Sequence, residues 1–312
     1  MPTEPNKDLL IREIENPELK KRLSQFAYGI EEAVNFGTHI IPWCFEKGIL
    51  NTDSVPPIGL LRHIIDLGDS ISILVKNSSI DPCIVILRSL LETCWELEYM
   101  LEKDTKQRAM AFMVWYTYNE INKDKKVEPS FPESKDFQEI LDKEIRSANP
   151  KMKSDPQIVE RINNLQEILN QPLYLDAARE YKKHIEKHGK KQGKPKNWYS
   201  LFSGPQNVHD LAHHLKHSAM YERMYRIWSE STHGIDIFVG KIAPDGIIQL
   251  RFPEKVQEVT KDTLLIITNT YLFFIKGFIP EKENIFLEWY QREIEKFVSD
   301  LISTKNIIKV VD

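Results

Sequence analysis

Along most of this chain apolar residues return every three or four positions, the period of a helix that buries one face, and alternation is confined to one short segment. The first helical stretch runs from about Asn6 to Lys47, with breaks expected at Asn16-Pro17 and between Gly37 and Pro42. A second follows Pro56-Pro57, with apolar positions 60, 61, 64, 65, 67, 71 and 74. In "DPCIVILRSLLETCWELEYMLEK" Asp81 is the expected N-cap and Pro82 the first helical residue. The helical segment "TKQRAMAFMVWYTYNEINK" comes next. Between 127 and 197 the pattern is cut by "EPSFPES", "ANPKMKSDP" and "NQP", which predicts a helical insertion of short charged helices. A helix then opens at Asn207 and continues to about Gly234. The segment "IDIFVGKIAPDGIIQLRFPEK" alternates around Asp245-Gly246 and predicts a small β-hairpin near 235–252. Two closing helices, about 254–279 and 281–303, complete an all-α multi-helix bundle. It is expected to form a single domain over 1–312, with N-terminal helices in 1–126, the insertion in 127–197 and C-terminal helices in 198–312.

Composition narrows the function classes. With 41% hydrophobic and 28% charged residues the 312-residue chain is long and apolar enough for a folded core. A net charge of -4 argues against coating DNA or an anionic membrane through bulk electrostatics. Cys44, Cys83 and Cys94 lie among apolar neighbours without CxxC spacing, which points to a reducing, cytoplasmic setting. The charged start "MPTEPNKDLLIREIENPELKKR" lacks a signal-peptide core. The apolar run Leu264 to Ile279 is interrupted by Thr268, Asn269, Thr270 and Lys276 and falls short of the ~20 residues of a membrane span, so it reads as a core helix and no membrane partner is expected. No cofactor is expected, because no Gly-rich phosphate loop, serine nucleophile elbow or kinase signature occurs.

The richest chemistry lies in "YERMYRIWSESTHG". At ~100° per helical residue, Tyr221, Tyr225, Ser229 and His233 form one stripe, while Glu222, Arg226 and Glu230 form the adjoining one. His233 precedes Gly234, so it reads either as a C-terminal cap, where the helix dipole favours a protonated imidazole, or as a functional group. Arg88 and Glu92 in "RSLLE" stand one turn apart at the edge of an apolar arc. They read either as a structural ion pair or as one side of a site where Arg88, Glu92, Tyr225, Ser229 and His233 converge between two helices. In "HDLAHHLKH", His209, His213 and His217 at four-residue steps share one face; they read as an exposed polar face or as zinc-type ligands. The lysine-rich "YKKHIEKHGKKQGKPKN" reads as a solvated loop or a phosphate contact.

The "RSLLE" helix, "WYSLFSG" with "VHDLAHHL", and the Tyr221, Tyr225, Ser229, His233 stripe together resemble a bacterial all-helical family without an assigned function, over roughly residues 57–280. That resemblance implies a bundle in which the two helices meet, and brings no activity. Arg226-x6-His233 also resembles the HEPN superfamily, many members of which are metal-independent ribonucleases of toxin and phage-defence systems, marked by an arginine and a histidine a few residues apart. This second resemblance implies RNA as partner and a site built across a homodimer. His233 would exchange a proton, Arg226 would hold the scissile phosphate, and Ser229 would complete the catalytic set. The alternative left open by the residues is a non-catalytic helical interaction or ligand-sensing protein.

Overall fold

The computed structural model describes residues 4–49, 51–144, 152–188, 195–232, 242–243, 246–247 and 249–303. The fold is all-α. Helix α1 spans Pro17–Glu46, α2 Val55–Lys76, α3 Ile80–Glu102, α4 Thr105–Val127, α5 Lys135–Glu144, α6 Pro156–Leu169 and α7 Leu175–His188. Helix α8 covers Val208–His214 and α9 Ser218–Met220; a π-turn at Tyr221–Tyr225 leads into α10, Arg226–Thr232. Helix α11 spans Val256–Phe278 and α12 Glu283–Trp289, and a second π-turn at Tyr290–Glu295 leads into α13, Lys296–Ser303. No helix among the described residues is long and apolar enough to cross a membrane. The chain divides into two compact units, one of residues 1–103 with 208–312 and one of residues 104–207.

In the first unit α1, α2, α3 and α11 form the central bundle. Its core is filled by Leu23, Ile30 and Ile40 of α1, Leu61, Ile64 and Ile71 of α2, Leu87 and Leu90 of α3, and Ile267, Tyr271 and Phe274 of α11, all nearly inaccessible. Lys47, just past α1, donates to Phe278 O at 3.2 Å and pairs with Glu281 at 2.8 Å, so α1 and α11 end together. Ser78, just before α3, donates to the Arg251 carbonyl at 3.3 Å, so α3 and α11 also start together and run parallel. The close approach of α11 to α1 requires a glycine: a Cβ on Gly37 would collide with the Tyr271 hydroxyl.

Helix starts follow local chemistry. Asn16 Oδ1 accepts from the Glu18 and Leu19 amides at 3.0 and 3.1 Å, with Pro17 at the first helical position. The break expected between Gly37 and Pro42 does not occur. α1 runs through both, with Ile40 and Cys44 on either side of Pro42 fully buried, and that burial outweighs the helix-breaking cost of ~3 kcal/mol. α3 begins at Ile80 with Ser79 as N-cap; Asp81 falls in the first turn rather than at the cap, still facing the positive helix end.

The second unit is built on α4, with α6, α7 and a 3₁₀ turn at Trp198–Ser203 around it. Tyr118 of α4 stacks on Tyr181 of α7 at 4.1 Å, and the Trp115 indole donates to Pro195 O at 2.9 Å. The buried Glu128 accepts from Ser130 N and Oγ, Ser154 Oγ and Asp155 N, at 2.7 to 3.2 Å, tying the end of α4 to the start of α6. The lysine-rich segment expected to be a loop is helical up to His188, and 189–194 lie outside the described residues.

Two expectations are corrected here. The β-hairpin near 235–252 is not supported: the described residues there hold only a pairing of two residues a side, Ile242 with Ile247 and Ala243 with Gly246, and most of the segment lies outside them. The single helix from Asn207 to Gly234 is broken at Lys216, whose φ is +63°. Lys216 N bonds His213 O at 3.1 Å and His217 N bonds Ala212 O at 2.7 Å, the Schellman closure of α8 with lysine where glycine is usual.

Candidate functional site

Arg88 and Glu92 lie one turn apart on α3 and face the segment that carries Tyr225. Arg88 Nε donates to Glu92 Oε1 at 3.1 Å, and Arg88 Nη2 donates to the Tyr225 hydroxyl at 2.9 Å. That hydroxyl in turn donates to Glu92 Oε1 at 2.6 Å, closing a triangle. The guanidinium also sits 5.0 Å from the Tyr225 ring centre. Tyr225 is buried, while the Arg88 and Glu92 side chains keep 20% and 33% of their surface, so the pair is shielded without being cut off from water. Burial and the bond to Glu92 push the phenol up to about 12, so at neutral pH it holds its proton and is neither base nor nucleophile.

Tyr225 closes the π-turn. The Arg226 amide bonds Tyr221 O, five residues back, which shifts the face of the helix by part of a turn. Tyr221 stacks on Tyr225 at 5.1 Å, and its other neighbour is the His209 ring, edge-on at 4.9 Å. Ser229 lies one turn beyond Tyr225 on α10 and is half-buried. Arg226 is on the outer side, exposed, with Nη1 2.9 Å from Glu222 Oε2. His233, and with it the expected Arg226–His233 pair, lies outside the described residues.

The histidine face proposed for a metal does not exist in this form. The turn at Lys216 separates His209 and His213 from His217, and no group of three metal-type side chains occurs among the described residues. His217 Nε2 is instead 2.7 Å from Glu98 Oε2, with its ring stacked on Trp95 at 6.1 Å. His214 Nε2 is 2.9 Å from Glu102 Oε2, and Tyr99 meets its ring edge-on at 5.3 Å. Trp95, Glu98, Tyr99 and Glu102, at i, i+3, i+4 and i+7 on one face of α3, thus hold two histidines three residues apart, and sequence reasoning missed this pairing although the spacings were visible.

Beside this clamp an open pocket of about 360 Å³ lies between α3, the His217–Met220 segment and α11. Leu91, Cys94 and Trp95 line it from α3, and Ile266 and Phe273 from α11. Its polar groups are Glu98, His217, Asn269, Thr270 and Lys276. The Thr270 hydroxyl donates to Ile266 O at 2.8 Å. Burial pushes the Cys94 thiol up to about 12, so it contributes apolar surface and no thiolate; Cys83 is raised alike to about 12 and Cys44 to about 11. Trp95 borders both features, 5.9 Å from the Tyr225 ring, so the triangle braces one wall of the pocket. The arrangement can bind a mostly apolar molecule and orient one polar end.

No match was found among curated proteins or among solved structures. Residues 55–237 match a family of unknown function, a segment that holds the α3 and Tyr225 parts of this site and stops before α11. By that match, which covers more than half of its length, the chain belongs to the family of unknown function DUF5677.

Proposed function

We propose that this protein binds a small molecule in the pocket between α3, the His217–Met220 segment and α11, as a ligand-sensing helical protein rather than through covalent chemistry. The observation that carries this reading is the pocket itself. Its volume of about 360 Å³ falls within the ~300–1,000 Å³ of small-molecule sites, and its apolar walls surround a few convergent polar groups. The Arg88–Glu92–Tyr225 triangle supports it by its closure: each of the three groups is bonded to the other two, which suits a brace better than a reacting centre. Titration with 1-anilinonaphthalene-8-sulfonate tests the reading. Enhanced dye fluorescence is expected, and Thr270→Phe, which places a ring in the pocket, should weaken dye binding about tenfold with unchanged helicity. Undiminished binding by that variant would exclude the pocket.

A second reading, a metal-independent ribonuclease of the HEPN type acting on RNA, rests on one observation: the Arg226 guanidinium is exposed and engaged in an exchangeable surface pair with Glu222. His233 would supply the proton transfer. Cleavage of single-stranded RNA by the purified chain, abolished by Arg226→Ala and by His233→Ala, is its test; cleavage that persists in both removes it.

A further inference from the structure

We infer that the pocket selects a monoanionic amphiphile, an apolar planar or short-chain body ending in one carboxylate. This rests on the reading of the pocket as a binding site and adds which chemistry it takes. Because α3 and α11 run parallel, the pocket has two unlike ends. Leu91 and Ile266 mark the apolar one, while Glu98 and Lys276 stand further along their helices at the polar one. Trp95 and Phe273 offer flat apolar surface between them.

The sign of the ligand follows from what the lining has left to give. Glu98, the one acid of the lining, is already engaged by His217 at 2.7 Å, which offsets its attraction for a cation. Thr270 spends its hydrogen on a backbone carbonyl. Of the remaining lining groups the Asn269 amide can donate or accept, and the Lys276 ammonium only donates and carries the positive charge. Lys276 stands 3.3 Å from Glu283 in a pair whose side chains keep 54% and 33% of their surface. Pairs this exposed contribute little, so Glu283 is readily exchanged for a ligand carboxylate. A single charge suits the site better than a phosphate dianion. Among the described residues no arginine lines the pocket to grip a phosphate by two bonds.

The test compares three probes with one body on the full chain by isothermal calorimetry at neutral pH: 1-naphthylacetate, 1-naphthylmethanol and 1-naphthylmethylammonium. The acetate is expected to bind about tenfold tighter than the other two. Lys276→Met and His217→Gln should each weaken the acetate several-fold and leave the alcohol unchanged. The exposed position of Lys276 keeps its variant folded, which circular dichroism checks. Equal or tighter binding of the alcohol or the ammonium overturns the anion selectivity while the pocket reading stands. Binding of none of the three overturns both.

Discussion

Tyr225 ties two charged side chains of α3 to a segment more than a hundred residues away in the chain, and its hydroxyl both accepts from Arg88 and donates to Glu92. Tyr225→Phe keeps the ring against Trp95 and removes only that oxygen. Hydrogen bonds to charged groups contribute about 1.5–3 kcal/mol, so the variant should lose stability in that range by urea unfolding, while a change below about 0.5 kcal/mol would mean the triangle is idle. Arg88, Glu92 and Tyr225 were legible in the sequence because a charged i, i+4 pair inside an apolar arc needs a buried polar partner, and a tyrosine stripe was at hand. The fate of the histidines was not legible. A helix stop is normally announced by glycine, and here Lys216 takes the left-handed position, so His217 leaves the expected face and meets Glu98 instead. The π-turn at Tyr221–Tyr225 is equally silent in sequence, since nothing in "YERMY" departs from an ordinary helix former pattern.

At the scale of elements, the period of apolar positions was enough to place α1, α2, α3 and α11, because each buries one broad face for more than twenty residues. What it could not show is which helices touch most closely. Gly37 looked like a break in α1 and is instead the point where α11 passes. There the Tyr271 hydroxyl is fully buried and has no hydrogen-bond partner among the described residues, and burial pushes its phenol far above the ordinary range. Gly37→Ala should therefore cost about 1–3 kcal/mol by forcing the two helices apart. Tyr271→Phe removes an unsatisfied polar atom and should be neutral or stabilising by up to about 1 kcal/mol. The double variant should recover part of the Gly37→Ala loss, because the hydroxyl is the atom the new methyl meets first. Simple additivity in urea unfolding would show that the clash lies elsewhere.

At the scale of the molecule, each unit carries its own core and its own acid-sensitive carboxylate, and the two carboxylates act in opposite directions. In the unit of residues 104–207, bonds from Asp155 N, Ser154 and Ser130 hold the Glu128 carboxyl down at about 2, against an ordinary 4.5. Its contribution to stability is complete above 4.5 and is lost as the pH falls toward 2. In the other unit burial, helped by Glu258 one turn away and opposed by Lys261, pushes Asp262 up to about 6 from 3.8. A raised carboxyl favours the folded state when protonated, so this contribution is present below 3.8 and is lost as the pH rises through about 6. Calorimetry across this range should therefore show one part of the unfolding profile moving to higher temperature as the pH drops from about 7 to 4, and another moving to lower temperature below 4.5. Asp262→Asn should raise the first at neutral pH and flatten its response, and Glu128→Gln should lower the second at neutral pH and flatten its fall in acid. If both variants instead follow the parent chain at every pH, neither carboxylate governs the acid response, and the ordered backbone donors around Glu128 would have to be serving geometry alone.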